Sequence, residues 1–306
     1  MPSLKQLAKR NEKFVSGHRL CAGCGAGITA RQVMLAIDKP VIVANATGCL
    51  EVASTIFPFS AWNVPWIHSA FENVAATISG IEAAYRSLKK QGKINIEDVV
   101  FVAFGGDGGT YDIGLQALSG AAERGHKILY ICYNNEAYMN TGIQRSSATP
   151  FGAHTSTSPS GKVIPGKLQW QKNLPEIMVA HNIPYVATSI PGKWNDLVNK
   201  VEKGTTFDGF AFIDILSPCR LGWPHDPKIT LEISRLAADT CIWPLYEVVE
   251  GKYKLTYKPK EKKPVVEWFK LQRRFSHLLK PENKELLDKI QQEIDKRWEQ
   301  LLKRSE

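Results

Sequence analysis

Two residues able to share a metal stand at the ends of two apolar runs. Asp107 lies in Gly105-Gly106-Asp107-Gly108-Gly109, directly after residues 99–104 (VVFVAF), and Asn135 follows it by 28 positions, after residues 127–133 (KILYICY) and Asn134. Short continuous apolar runs are what a strand buried on both faces of a parallel sheet requires. Residues 112–124 between them read as a helix, with Asp112 as its cap and Gly125 as its stop. A right-handed strand, helix, strand crossover sets neighbouring strand ends side by side in the crevice where open α/β sheets bind ligands. A carboxylate, a side-chain amide and a backbone carbonyl there would suit Mg²⁺, with phosphate oxygens completing its shell. Gly105, Gly106, Gly108 and Gly109 carry no Cβ, so their N–H groups can approach a diphosphate closely at the positive end of the following helix. The bland alternative is an ordinary sheet turn plus an asparagine turn.

A second constellation is built of sulfur. Cys21 and Cys24 form a CxxC in a glycine-flanked loop ahead of a helical stretch, a spacing that serves half a zinc site, a redox pair or nothing at all. Cys49 follows the strand-like residues 41–45 (VIVAN), and Cys219 follows 211–216 (AFIDIL). Both belong at the carboxyl edge of the sheet, the edge assigned to Asp107 and Asn135. Four thiolates on one edge suit a [4Fe-4S] cluster or a structural zinc. Cys132 sits inside a predicted strand and reads as a small buried hydrophobe, as does Cys241.

The elements needed to carry these groups make an α/β fold, a mainly parallel sheet with helices on both faces. Helices are expected over 72–90, 174–181, 194–203 and 231–239, with a strand over 185–189. Residues 1–250 read as the α/β domain and 251–306 as a basic hairpin and helical extension. At 306 residues and 43% hydrophobic, the chain can bury a large core. No apolar run is long enough to span a bilayer, and the first residues lack the apolar stretch of a signal peptide, so a cytoplasmic protein is expected. Of the net charge of +9, the tail from Gly251 supplies 16 Lys and Arg against 9 Asp and Glu. Leu286, Ile290, Ile294 and Trp298 give that tail one apolar stripe, which favours packing on the body or another subunit over nucleic-acid binding. The polar stretch 144–169 reads as a functional or partner-contacting loop. His18 and His68 are more simply structural or surface histidines, and Arg145 and Lys162 solvated ones.

The CAGCG, ATGC and GDGG segments, followed by YNNEAYMNTGIQ at 133–144, occur in the order seen in the β subunit of 2-oxoacid:ferredoxin oxidoreductases, and most resemble the pyruvate branch. The likeness runs from about Gly17 to about Trp243. It implies a thiamine diphosphate domain with one [4Fe-4S] cluster on Cys21, Cys24, Cys49 and Cys219, and Mg²⁺ on Asp107, Asn135 and the carbonyl of Ala137. It also puts Asn140 and Thr141 near the diphosphate and the reacting carbon. The implied reaction is coenzyme A-dependent oxidative decarboxylation of pyruvate, or its reverse, with electrons leaving to ferredoxin; the alternatives are the same role for a branched-chain 2-oxoacid or oxalate, and a zinc-stapled binding subunit without chemistry. Glu51, Glu72 and Glu136 lack a persuasive context for the glutamate that activates the aminopyrimidine, so the resemblance assigns that group to a partner α subunit. γ- and δ-type subunits are implied for coenzyme A binding and for further clusters, since the chain has no ferredoxin-type cysteine run.

Overall fold

The structure, a computed structural model, describes residues 2–305. Its frame is one eight-stranded sheet of β1 (Val41–Ala46), β2 (Trp66–Ser69), β3 (Val100–Gly106), β4 (Leu129–Asn134), β5 (Tyr185–Ser189), β6 (Ala211–Leu216), β7 (Tyr246–Val249) and β8 (Lys252–Leu255). The order across the sheet is β2-β1-β3-β4-β6-β5-β7-β8. The first six strands run parallel; β7 joins β5 antiparallel and turns back into β8.

Side-chain alternation explains why the central runs are apolar throughout. On β3, Val102 and Phe104 enter the core that packs helices Gly25–Ala36 and Trp194–Gly204, while Phe101 and Ala103 enter the core of helices Val74–Lys90 and Leu115–Glu123. β4 and β6 divide their residues the same way, and every position of both is buried. A strand with no solvent face has no place for alternating polar residues.

The predicted strands lie where the apolar runs put them, with ends moved by a residue or two. The segment after Asp107 differs. Residues 108–112 form a single π-helical turn, and the α-helix begins only at Leu115. Asp112 therefore does not cap a helix; its carboxylate accepts from the Ser147 backbone N–H and hydroxyl and faces Lys172 at 3.7 Å. Wide turns of this kind concentrate at functional sites.

The residues after 250 first extend the sheet as β8 and then cross the body as helix Val265–Lys270, a 3-10 segment Arg273–Leu279 and helix Lys284–Arg304. Ile290, Ile294 and Trp298 are buried and Leu286 is partly so, which makes the predicted stripe a packing face on this chain. A third core gathers Trp268, Phe269 and Phe275 of the tail around Trp223 and Trp243.

Candidate active site

Gly106 on β3 pairs in register with Tyr133 on β4, so Asp107 and Asn135 leave adjacent strands at the same edge. Asp107 is fully buried. Its Oδ1 accepts from the Asn135 backbone N–H at 3.1 Å, and its Oδ2 accepts from the Ser146 hydroxyl. Burial pushes this carboxyl up to about 8, because its charged form is removed from water. The head of the Asn135 side chain lies 2.9 Å from Asp107 Oδ1 and 2.8 Å from the carbonyl oxygen of Ala137. With its NH₂ turned inward it donates to both. With its oxygen turned inward three oxygens converge, the donor set a hard divalent cation takes.

Beside these groups opens a cleft lined by Thr47, Gly48, Cys49, Gly106, Gly108, Gly109, Asn135, Ala137, Asn140 and Thr141, with Phe71, Tyr133, Tyr138 and Met139 as its larger walls. The Tyr133 hydroxyl is buried here without a partner, so the cleft offers one unsatisfied polar group to a ligand. Asn140 and Thr141 are exposed at the lip. The glycines answer to close protein packing as much as to any ligand. A Cβ on Gly108 would stand 2.4 Å from the Tyr138 ring, and one on Gly109 would stand 2.8 Å from the Phe71 carbonyl oxygen. His68 donates to or accepts from Thr47 at 2.7 Å and faces Glu51 at 3.7 Å, whereas His18 is stacked on Phe14.

The four cysteines come from loops after β1 and β6 and from the segment ahead of helix Gly25–Ala36. β1 and β6 have two strands between them, roughly 14 Å across at ordinary strand spacing, so only the loops can bring Cys49 towards Cys219. Gly25 N donates to Pro218 O at 3.0 Å and the hydroxyls of Thr29 and Ser217 lie 2.9 Å apart, which docks the CxxC segment on the Cys219 loop. Arg19 N donates to Ala53 O at 2.7 Å, tying the same segment to the helix that starts at Cys49. Burial raises Cys24 to about 11 and Cys49 to about 12, and each is raised further by the neighbouring thiols, Cys219 first. Among the described residues, no three Cys, His, Asp or Glu side chains stand at the spacing that holds a single ion.

A profile of the thiamine pyrophosphate enzyme, C-terminal TPP binding domain, matches residues 46–215. Pyruvate synthase subunit PorB of Thermotoga maritima is 52% identical over 98% of this chain and 95% of its own length. This chain belongs to the PorB family of 2-oxoacid:ferredoxin oxidoreductase β subunits. Another relative, ketoisovalerate oxidoreductase subunit VorB of Pyrococcus abyssi, is 43% identical over 96% of the chain and 94% of its own length. A solved structure of 2-oxoglutarate:ferredoxin oxidoreductase from Magnetococcus marinus, with 2-oxoglutarate, coenzyme A and succinyl-CoA bound, shares the fold at a TM-score of 0.56. It is 20% identical over 73% of this chain and 79% of that one.

Several groups at the site of this PorB-family chain gave no sign in the sequence. Ser146 and Thr149, from the stretch read as a partner-contacting loop, are buried against Asp107 and the Glu136 carbonyl. Lys167 of the same stretch is buried and donates to Thr149 O at 2.6 Å. Glu136, a candidate by type for the aminopyrimidine-activating glutamate, is sealed in an ion pair with Arg274. A second cavity lies under the C-terminal helix, lined by Trp170, Trp243, Tyr246 and Trp298, and neither Asp107 nor Cys21, Cys24, Cys49 or Cys219 lines it.

Proposed function

We propose that this chain is the thiamine diphosphate- and cluster-bearing subunit of a coenzyme A-dependent pyruvate:ferredoxin oxidoreductase. The observation that carries the reading is the Asn135 side chain lying within 2.9 Å of both the Asp107 carboxylate and the Ala137 carbonyl beside a glycine-lined cleft. Those three groups would hold Mg²⁺, and Gly106, Gly108 and Gly109 would turn backbone towards the diphosphate. Asp107 would balance the metal's charge from a buried position, and the Ser146 hydroxyl, which donates to its second oxygen, keeps that carboxylate aimed. Phe71 and Tyr138 wall the cleft against water, while Asn140 and Thr141 at the lip would stand near the diphosphate and the reacting carbon. The thiamine ring supplies the electron sink for decarboxylation. Cys21, Cys24, Cys49 and Cys219 would hold a [4Fe-4S] cluster, which accepts electrons singly.

A cluster is favoured over a structural zinc in this proposal because the decarboxylation leaves electrons that an iron-sulfur centre accepts and redox-inert zinc does not. A partner α-type subunit would complete the site with the glutamate this chain does not offer, and γ- and δ-type subunits, ferredoxin and coenzyme A complete the assembly. Six unpaired cysteines suit a reducing compartment, and the proposal sets the complex in the cytoplasm. A second reading, the same role for a branched-chain 2-oxoacid, is favoured by the likeness to the ketoisovalerate enzyme subunit.

Anaerobic purification of the complex, metal analysis and assay against several 2-oxoacids test the proposal together. Iron, acid-labile sulfide and thiamine diphosphate in the complex are expected, with Cys49→Ala losing iron but keeping thiamine diphosphate and Asp107→Asn doing the reverse. Zinc without iron, or turnover by this chain alone, would overturn it.

A further inference from the structure

The turn that carries Asn135 and Ala137 is held in an unusual shape by residues outside the cleft. Glu136, between them, has φ +65°, the left-handed region that a non-glycine residue enters at a cost. Its Oε2 receives the Arg274 guanidinium at 2.5 Å and its Oε1 accepts from Gln171 at 3.2 Å, all three buried or nearly so. Arg274 belongs to the C-terminal segment, 138 positions away, and its Nε donates to Gln272 at 2.9 Å. The guanidinium plane lies 3.9 Å from the centre of the Trp223 ring. Trp223 in turn donates from its indole to the Asn135 carbonyl at 2.8 Å and from its backbone to Cys219 O at 2.9 Å.

One cation thus touches the side chain of the metal-loop turn and the tryptophan that spans from the Cys219 loop to the same turn. We propose that Arg274 is a positioning residue, by which the C-terminal segment fixes the metal loop and the cysteine loop relative to each other. The proposal rests on the thiamine and cluster reading above. Its physical basis is geometric. A buried ion pair gains little net stability because both charges leave water, but a guanidinium that donates to Glu136 from one nitrogen and to Gln272 from another tolerates only one arrangement. Partners that orient metal ligands from behind are worth about 10- to 100-fold in affinity. The guanidinium lies on the Trp223 ring, whose backbone N–H is bonded to Cys219 O, so its charge sits beside the Cys219 loop and favours an added electron on the cluster as well as the shape of the turn.

The test uses the assembled complex, stripped of Mg²⁺ and thiamine diphosphate and titrated back with both by tryptophan fluorescence, with cluster potential measured by electron paramagnetic resonance. Arg274→Gln is expected to weaken Mg²⁺–thiamine diphosphate binding by about tenfold or more and to move the potential negative. Arg274→Lys restores the potential but not the binding, because it returns the charge without the fork. Arg297→Gln, a half-exposed position on the same segment, changes neither. A folded Arg274→Gln complex with parental affinity overturns the proposal. If that variant does not fold, Trp223→Phe decides, since it removes the indole donor to Asn135 while keeping an aromatic ring under Arg274; unchanged affinity there overturns it equally. A parent that binds neither Mg²⁺ nor thiamine diphosphate defeats the underlying reading and this proposal with it, whereas parental binding with unchanged variants ends this proposal alone.

Discussion

Asp214 shows how a single buried carboxyl sets a pH dependence. It stands in the middle of β6, fully buried, with the Tyr111 hydroxyl donating to its Oδ2 and Asn134 donating to that hydroxyl at 3.1 Å. Burial pushes its carboxyl up to about 7. In the unfolded chain the group titrates near 3.9. Between those values the folded state keeps a proton that the unfolded state has lost, so stability falls as pH rises through this window and is level above it. Asp214→Asn should flatten that fall, by on the order of 2 kcal/mol between pH 4.5 and 7.5. Denaturant unfolding of parent and variant at the two pH values checks this, and a variant that keeps the parental slope excludes Asp214 as the titrating group. The sequence marked Asp214 only as one residue of an apolar run. Its partner Tyr111 lies 103 positions earlier, out of reach of any local pattern.

At the scale of elements, the meeting of helix Gly25–Ala36 with the loop after β6 decides where Cys24 stands relative to Cys219. Gly25 permits that contact, because a Cβ there would lie 2.6 Å from the Ser217 and Pro218 backbone. Gly25→Ala should cost about 1–3 kcal/mol, the usual penalty of overpacking, and should lower the iron content of the purified complex with thiamine diphosphate content unchanged. Iron assay beside thiamine diphosphate assay on one preparation checks the pairing; full iron occupancy in the variant would show that the helix does not seat the cysteine. The elements themselves were readable from hydrophobic period. β5 and β6 fall on their apolar runs, and the helices differ by a residue or two at their ends. The exception is the turn after Asp107. There Gly114 packs against the Gly109 carbonyl and the helix opens wide, a backbone contact with no periodic trace.

Across the whole molecule, the basic tail serves as part of the core. Trp298 is 8% exposed and lies with Leu301 against the same core as β3 and β4. Trp298→Ala should destabilise the chain by about 3 kcal/mol, the range for emptying a buried aromatic site, seen as a lower denaturation midpoint in chemical unfolding. An unchanged midpoint would mean that the helix Lys284–Arg304 is held from elsewhere.

Sequence alone determined the parallel strands, the edge on which Asp107, Asn135, Cys49 and Cys219 stand, and the apolar stripe of the tail. Each follows from a period or a short spacing, because local backbone geometry dictates which face a residue takes. Tertiary structure decided the rest. Loops from strands with two others between them carry the cysteines towards one another, a tyrosine ring occupies the space a Cβ on Gly108 would need, and Arg274 reaches Glu136 across 138 positions. Those contacts depend on how layers pack and loops close, and packing joins residues whose separation along the chain carries no repeat to read.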